Sequence, residues 1–136
     1  MKGVYLFNHS FCNPNLIGYC VGQVRCVFML PSRAHKAWFS PDMEIPEHLA
    51  YVEWFTPFAS LHPGRDHRVY KVSRSIKQGK QQASVIPVAL VRQSVHLIPV
   101  FGPLAPPEWK SSSVLDLCSN FFVNPFSDCF SYSTLY

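Results

Sequence analysis

Six histidines, His9, His35, His48, His62, His67 and His96, are the first candidates for proton transfer or metal binding. His62 and His67 stand five apart across a segment that contains Pro63 and Gly64, and no cysteine pair accompanies them at zinc-finger spacing. No metal site is expected. His96 sits inside the apolar run VHLIP and reads as a core or half-buried histidine with a satisfied ring nitrogen. The five cysteines, Cys12, Cys20, Cys26, Cys118 and Cys129, are odd in number and include no CxxC pair. That argues against a disulfide framework and a zinc ribbon, and in favour of free thiols in a reducing compartment. No GxSxG elbow or cysteine-protease context marks a nucleophile. The eight acids, Asp42, Glu44, Glu47, Glu53, Asp66, Glu108, Asp116 and Asp128, fall mostly in expected loops and caps. No three of them converge from strands as a two-metal nuclease requires. Phosphate loops and dinucleotide fingerprints are absent. Catalysis, a cofactor and a small-molecule substrate are therefore not expected.

Binding chemistry is better represented. Arg65, Arg68, Lys71, Arg74, Lys77 and Lys80 are six of the twelve basic residues, with Asp66 the one acid among them. Six cations less one anion give this segment +5, against +4 for the whole chain, so the rest is close to neutral. A concentrated basic segment on a neutral body suits an acidic partner such as nucleic acid. The plainer reading is a solvated hairpin that keeps the domain soluble. Tyr70 is interleaved with the cations, and Tyr51, Trp54 and Phe55 lie nearby in a small barrel. Aromatic faces can stack on bases or surround a methylated ammonium. They can equally be core. Trp54 and Phe55 alternate in sequence, so one is expected in the core and the other exposed.

These residues need a scaffold. Residues 83–102, ASVIPVALVRQSVHLIPVFG, form the densest β-branched run and read as two strands, 84–90 and 95–101, joined by a bent or 3₁₀ segment. This pair is expected at the centre of the fold. Before it come strands at 19–30, 49–58 and 67–75. In the first, Val24, Cys26, Phe28 and Leu30 share a face, with Gly22 at a bulge or bend. In the second, Glu53 reads as a solvated edge residue. The third, around Tyr70 and Val72, is only half patterned. Residues 76–82, IKQGKQQ, read as a hairpin connection. Ser32 is expected to cap a helical turn over 34–39 anchored by Trp38 and Phe39. Pro103, Pro106 and Pro107 make a stiff linker. A helix is expected over 111–120, with Ser113 and Asp116 imitating a capping box, then a closing strand over 121–126. Residues 1–18 read as a poorly ordered or foreign leader, although Tyr5 and Phe7 could make a short strand. Residues 129–136 read as a tail.

The chain has 136 residues, 48% hydrophobic and 15% charged, with twelve prolines. That is one domain's worth of core, built from strands and turns rather than long helices. The opening MKGVYLF is too short for a signal-peptide core, and no apolar run reaches membrane-spanning length. An intracellular protein with no membrane partner is expected. The fold class is mainly β, a small antiparallel SH3-like or OB-like barrel with one short C-terminal helix.

Four phrases carry a family resemblance: HLAYVEWFTPF (48–58), VYKVSRS (69–75), ASVIPVALVRQSVHLIPVFGPLAPPEW (83–109) and LDLCSNFFVNPFSD (115–128). They resemble a segment near the C-terminal end of large proteins encoded by Plavaka-type DNA transposons of mushroom-forming fungi. The resemblance runs over about 19–128. It implies a detached piece of a transposon-encoded protein, without the zinc-binding and nuclease-like parts of full-length members. A weaker, architectural resemblance is to bromo-adjacent homology domains, chromatin-reading modules on a distorted β-barrel. It rests on VEWFTP (52–57), VIPVALVRQSVHL (85–97) and Phe121–Phe122. Ser94 and Val95 stand where that family often has a cysteine, and no aromatic cage can be assigned by residue. Together these imply a nuclear, non-enzymatic domain that attaches to DNA or chromatin through Arg65, Arg68, Lys71, Arg74, Lys77 and Lys80, with Tyr51, Trp54 or Tyr70 adding contact. Two alternatives remain: a packing module against the rest of a transposase, or a reader of histone peptides.

Overall fold

A computed structural model of the chain describes residues 3–8, 19–60 and 70–124. Five strands build the larger sheet: β1 (Gly3–Asn8), β2 (Tyr19–Phe28), β3 (Leu49–Trp54), β8 (Ala83–Pro87) and β9 (Val91–Ser94). Between β3 and β8 the chain makes β4 (Ala59–Ser60), β5 (Tyr70–Ser73) and a hairpin of β6 (Ile76–Lys77) and β7 (Lys80–Gln81). After β9 follow β10 (His96–Pro99) and β11 (Asn120–Asn124), which join β5 and β4 in a four-stranded sheet. The large sheet has the order β8-β3-β2-β1-β9 and the small one β10-β11-β5-β4. Every ladder among the described residues is antiparallel. The protein is thus mainly β, as its β-branched runs and proline-rich connections require.

The two edge strands of the large sheet, β8 and β9, are consecutive in sequence. Pro87 cannot donate to a ladder and ends β8. A three-residue 3₁₀ turn, Val88–Leu90, then carries the chain to β9 at the opposite edge. Only a strongly curled sheet lets so short a turn span its two edges. Among the described residues no ladder joins β8 to β9. The expected small antiparallel β domain is thus a curled sheet that does not close into a barrel among the described residues, with a second sheet packed on it.

Alternation along β1 and β2 explains the two cores. Phe7, Cys20, Val24, Ala50, Val52, Trp54 and Ile86 pack inside the curl, with Val88 and Leu90 from the turn and Val91 from β9. Val4, Leu6 and Val21 point the other way and pack with Phe55, Val72, Val95, Leu97, Phe121 and Val123 against the small sheet. Because both faces of β1 are apolar, it sits inside the sheet between β2 and β9. Leu6 and Phe7 are fully buried. The expected leader is corrected here for residues 3–8, which form a structural strand. Full burial of such side chains contributes about 1.5–3 kcal/mol each.

Several further expectations change. The bulge in β2 lies at Arg25, between Val24 and Cys26, so Val24 faces the core while Cys26 faces solvent. Gly22 marks close approach instead: a Cβ there would lie 2.4 Å from Val52 Cγ1 and 2.9 Å from the Phe7 and Trp54 rings. Residues 83–102 give three strands rather than two, and all three are sheet edges rather than the centre. The half-patterned third strand has one apolar face, Tyr70 and Val72 both packing on the second core. The first helix, α1 (Ser32–Trp38), follows Pro31 with no side-chain cap, and Trp38 is 72% exposed rather than an anchor. The C-terminal helix shrinks to one turn, α2 (Val114–Leu117), because Cys118 and Phe121 are taken into the core as extended chain. Ser113 forms no side-chain cap on it. The proline-rich segment folds back, bringing the Phe101 and Trp109 rings to 6.4 Å. Cys20 is disulfide-bonded, whereas Cys26 and Cys118 are free thiols; an odd count excludes a full framework but not one bridge. His96 is exposed, with Nδ1 3.3 Å from Asn124 Nδ2. Residues 125–136, which include the end of the expected closing strand and the tail, lie outside the described residues.

Candidate nucleic-acid interface

The basic segment resolves into parts with different fates. β6 and β7 are joined by Gln78 and Gly79, both with positive φ, 50° and 74°. Two positive φ values in a two-residue loop match the twist of the flanking strands, and glycine meets the demand at no steric cost. The register sets Lys77 directly opposite Lys80 and Ile76 opposite Gln81. Residues 76–80 are all exposed. Neither lysine has an ion-pair partner among the described residues. Like charges facing each other across a ladder are destabilising. The hairpin tip is thus a local concentration of positive charge that no acid among the described residues pairs with.

Main-chain bonds clamp this hairpin to the end of β3. Ser75 N donates to Trp54 O at 2.9 Å, Trp54 N to Gln82 O at 2.8 Å, and Gln82 N to Ser75 O at 2.7 Å. Gln81 Nε2 adds a bond to Trp54 O at 2.6 Å. At the foot lies a cleft of about 240 Å³, lined by Trp54, Ser75, Lys77, Gln82 and Ser84 among others. Among the described residues no carboxylate lines it. Trp54 Nε1 donates to Ser84 Oγ at 3.0 Å, which leaves the Ser84 hydroxyl hydrogen for another acceptor.

Arg74 is turned inward, away from the hairpin tip. Its side chain is 12% exposed and donates to Glu53 Oε2 at 3.3 Å, Gln23 Oε1 at 3.2 Å and the Leu115 carbonyl. Its guanidinium carbon sits 5.8 Å from the Phe55 ring centroid. Arg25, at the bulge, joins the same cluster through Glu53 Oε2 at 2.8 Å and through Asp116. Two cations and two carboxylates therefore cancel at the seam between the large sheet, Arg74 and α2. The hydrogen bond from Arg25 holds the Asp116 carboxyl below its usual range, against a smaller opposing effect of burial. The bond to Asp116 likewise raises Arg25. Glu53, expected to be solvated, is 17% exposed and receives both arginines. Sequence reasoning missed Arg25; its signal was a lone cation inside an apolar strand.

Lys71 is part-buried in β5, opposite Phe122 and Ala59. Trp54 and Phe55 are both core, at 8% and 4% exposure, so neither is the exposed partner that alternation suggested. The isolated bridge Phe55–Arg74 turns the chain after β3 and directs Phe55 into the second core. Tyr70 packs on Phe58 with centroids 5.0 Å apart. Tyr51 is 38% exposed, but it stands in register with exposed Cys26 and Val85 on the outer face of the large sheet. Arg65 and Arg68 lie outside the described residues, as do His62 and His67. Among the described residues no three His, Cys, Asp or Glu side chains group to hold a metal. No described helix is long and apolar enough to cross a membrane. No protein-family model, curated protein or solved structure matches the chain.

Proposed function

We propose that this chain is a non-enzymatic binding domain of a transposon-derived protein that attaches to DNA through the Lys77–Lys80 hairpin. The supporting observation is the direct opposition, on an exposed two-residue turn, of two lysines with no ion-pair partner among the described residues. Such a pair weakens the free hairpin and gains most from a polyanion that lies across it. Lys71 supplies further charge from β5, and the Arg74 guanidinium plays no part in attachment. The test is the salt dependence of duplex DNA binding by the full chain. Changing Lys77 and Lys80 together to Ala should lower the magnitude of the log–log slope by about 2, since each phosphate neutralised by a lysine adds roughly 0.9. An unchanged slope and affinity would refute the reading.

A second reading is favoured by a separate feature. Cys26, Tyr51 and Val85 form an exposed row across β2, β3 and β8. An apolar row on an open sheet face suits packing against another part of a transposase. A methyl-lysine cage is less well supported, because Trp54 and Phe55 are committed to the cores.

A further inference from the structure

We infer that the cleft at the foot of the hairpin seats one phosphate of the nucleic-acid backbone, so that the hairpin docks against a fixed point rather than by diffuse charge alone. The inference rests on the DNA reading above. Four of the lining residues carry donor groups: the Lys77 ammonium, the Ser75 and Ser84 hydroxyls and the Gln82 amide, which also reaches the Lys80 carbonyl at 3.5 Å and keeps a second hydrogen. The main-chain groups of Ser75, Gln82 and Trp54 are already engaged with each other, so recognition falls to side chains. Ser84 has a donor to spare for this role, since its oxygen accepts from Trp54 Nε1 and its hydroxyl hydrogen is not used by that bond. With a cation, hydroxyls and an amide but no carboxylate among the described residues, the lining is complementary to an oxyanion. At about 240 Å³ the cleft is smaller than the roughly 300–1,000 Å³ that accommodates a drug-sized ligand. It therefore takes one group of a larger molecule. Lys80, across the ladder from Lys77, then meets the flanking phosphate.

Trp54 provides an internal reporter, because its indole N–H is bonded to a residue of the seat. The experiment follows the Trp54 indole proton–nitrogen NMR resonance of the full chain during titration with a mixed-sequence DNA duplex, and separately with inorganic phosphate at constant ionic strength. Duplex should move the resonance saturably. Lys77→Ala should abolish the movement and weaken binding about ten- to a hundredfold, the loss of one charge-assisted hydrogen bond. Lys80→Ala should weaken binding less and leave the movement in place. Both lysines are exposed, so both variants keep the fold. If duplex binds with strong salt dependence while Trp54 stays still, or if the two variants behave alike, the seat is overturned and the hairpin reading stands. If inorganic phosphate moves Trp54 and duplex does not, the assignment to a nucleic-acid backbone is wrong. If neither ligand binds, the seat and the DNA reading fall together.

Discussion

Replacing Arg74 by alanine should separate the two roles that the basic segment mixes. In the structure Arg74 bonds Glu53, Gln23 and the Leu115 carbonyl, with 12% of its side chain exposed. Hydrogen bonds to a charged group are worth about 1.5–3 kcal/mol, and breaking a buried pair costs about 3–5 kcal/mol. Glu53 keeps its 2.8 Å bond to Arg25, so the full penalty for an orphaned carboxylate is not incurred. A loss of about 2–4 kcal/mol is expected, which for a chain of this size lowers Tm by roughly 10 °C. Lys77→Ala, on the exposed tip, should shift stability by no more than about 0.5 kcal/mol, with relief of like-charge repulsion acting in the stabilising direction. The assay pairs thermal unfolding with DNA titration at a temperature where both variants are folded. Arg74→Ala should be unstable yet bind as wild type does; Lys77→Ala should be stable and bind poorly. An Arg74→Ala variant that melts within a degree of wild type, or that loses binding as Lys77→Ala does, would refute the division.

Three other outcomes rest on the packing and the charge cluster. Leu6→Ala should cost about 2–5 kcal/mol in denaturant unfolding, because β1 is an inner strand and Leu6 is fully buried; a leader would tolerate it. Gly22→Ala should cost about 1–3 kcal/mol by forcing a methyl against Val52, Phe7 and Trp54, read by the same unfolding curve. Asp116 titrates below its ordinary value of 3.8 in the folded chain, so its ion-pair stabilisation is present above that pH and is lost as pH falls through the lower folded value. Asp116→Asn should remove that acid-side component from the pH profile of stability, by at most about 1 kcal/mol because the carboxylate is half exposed.

How much of this was legible varied with how local the cause was. The strand-rich class followed from β-branched runs and prolines, and the hairpin at residues 76–82 from a glycine amid polar residues. Both depend on neighbours in sequence. The place of β1 did not, because Tyr5 and Phe7 declare a strand only when β2 and β9 are there to pair with it. The bulge at Arg25 reversed the facing of Cys26 relative to Val24, a one-residue effect that a strict period of two cannot anticipate. The six cations looked equivalent as a string. Only the partners brought by other elements, Glu53 from β3 and the Leu115 carbonyl from α2, distinguish Arg74 from Lys77 and Lys80.

The most direct measurement is amide NMR mapping of the full chain with a DNA duplex at low and at moderate salt. The account predicts that the largest shifts fall on residues 75–84, with Gly79 and the two lysines foremost, and that they diminish as salt screens the phosphates. Shifts concentrated instead on Cys26, Tyr51 and Val85, or none around Gly79 at either salt, would contradict it.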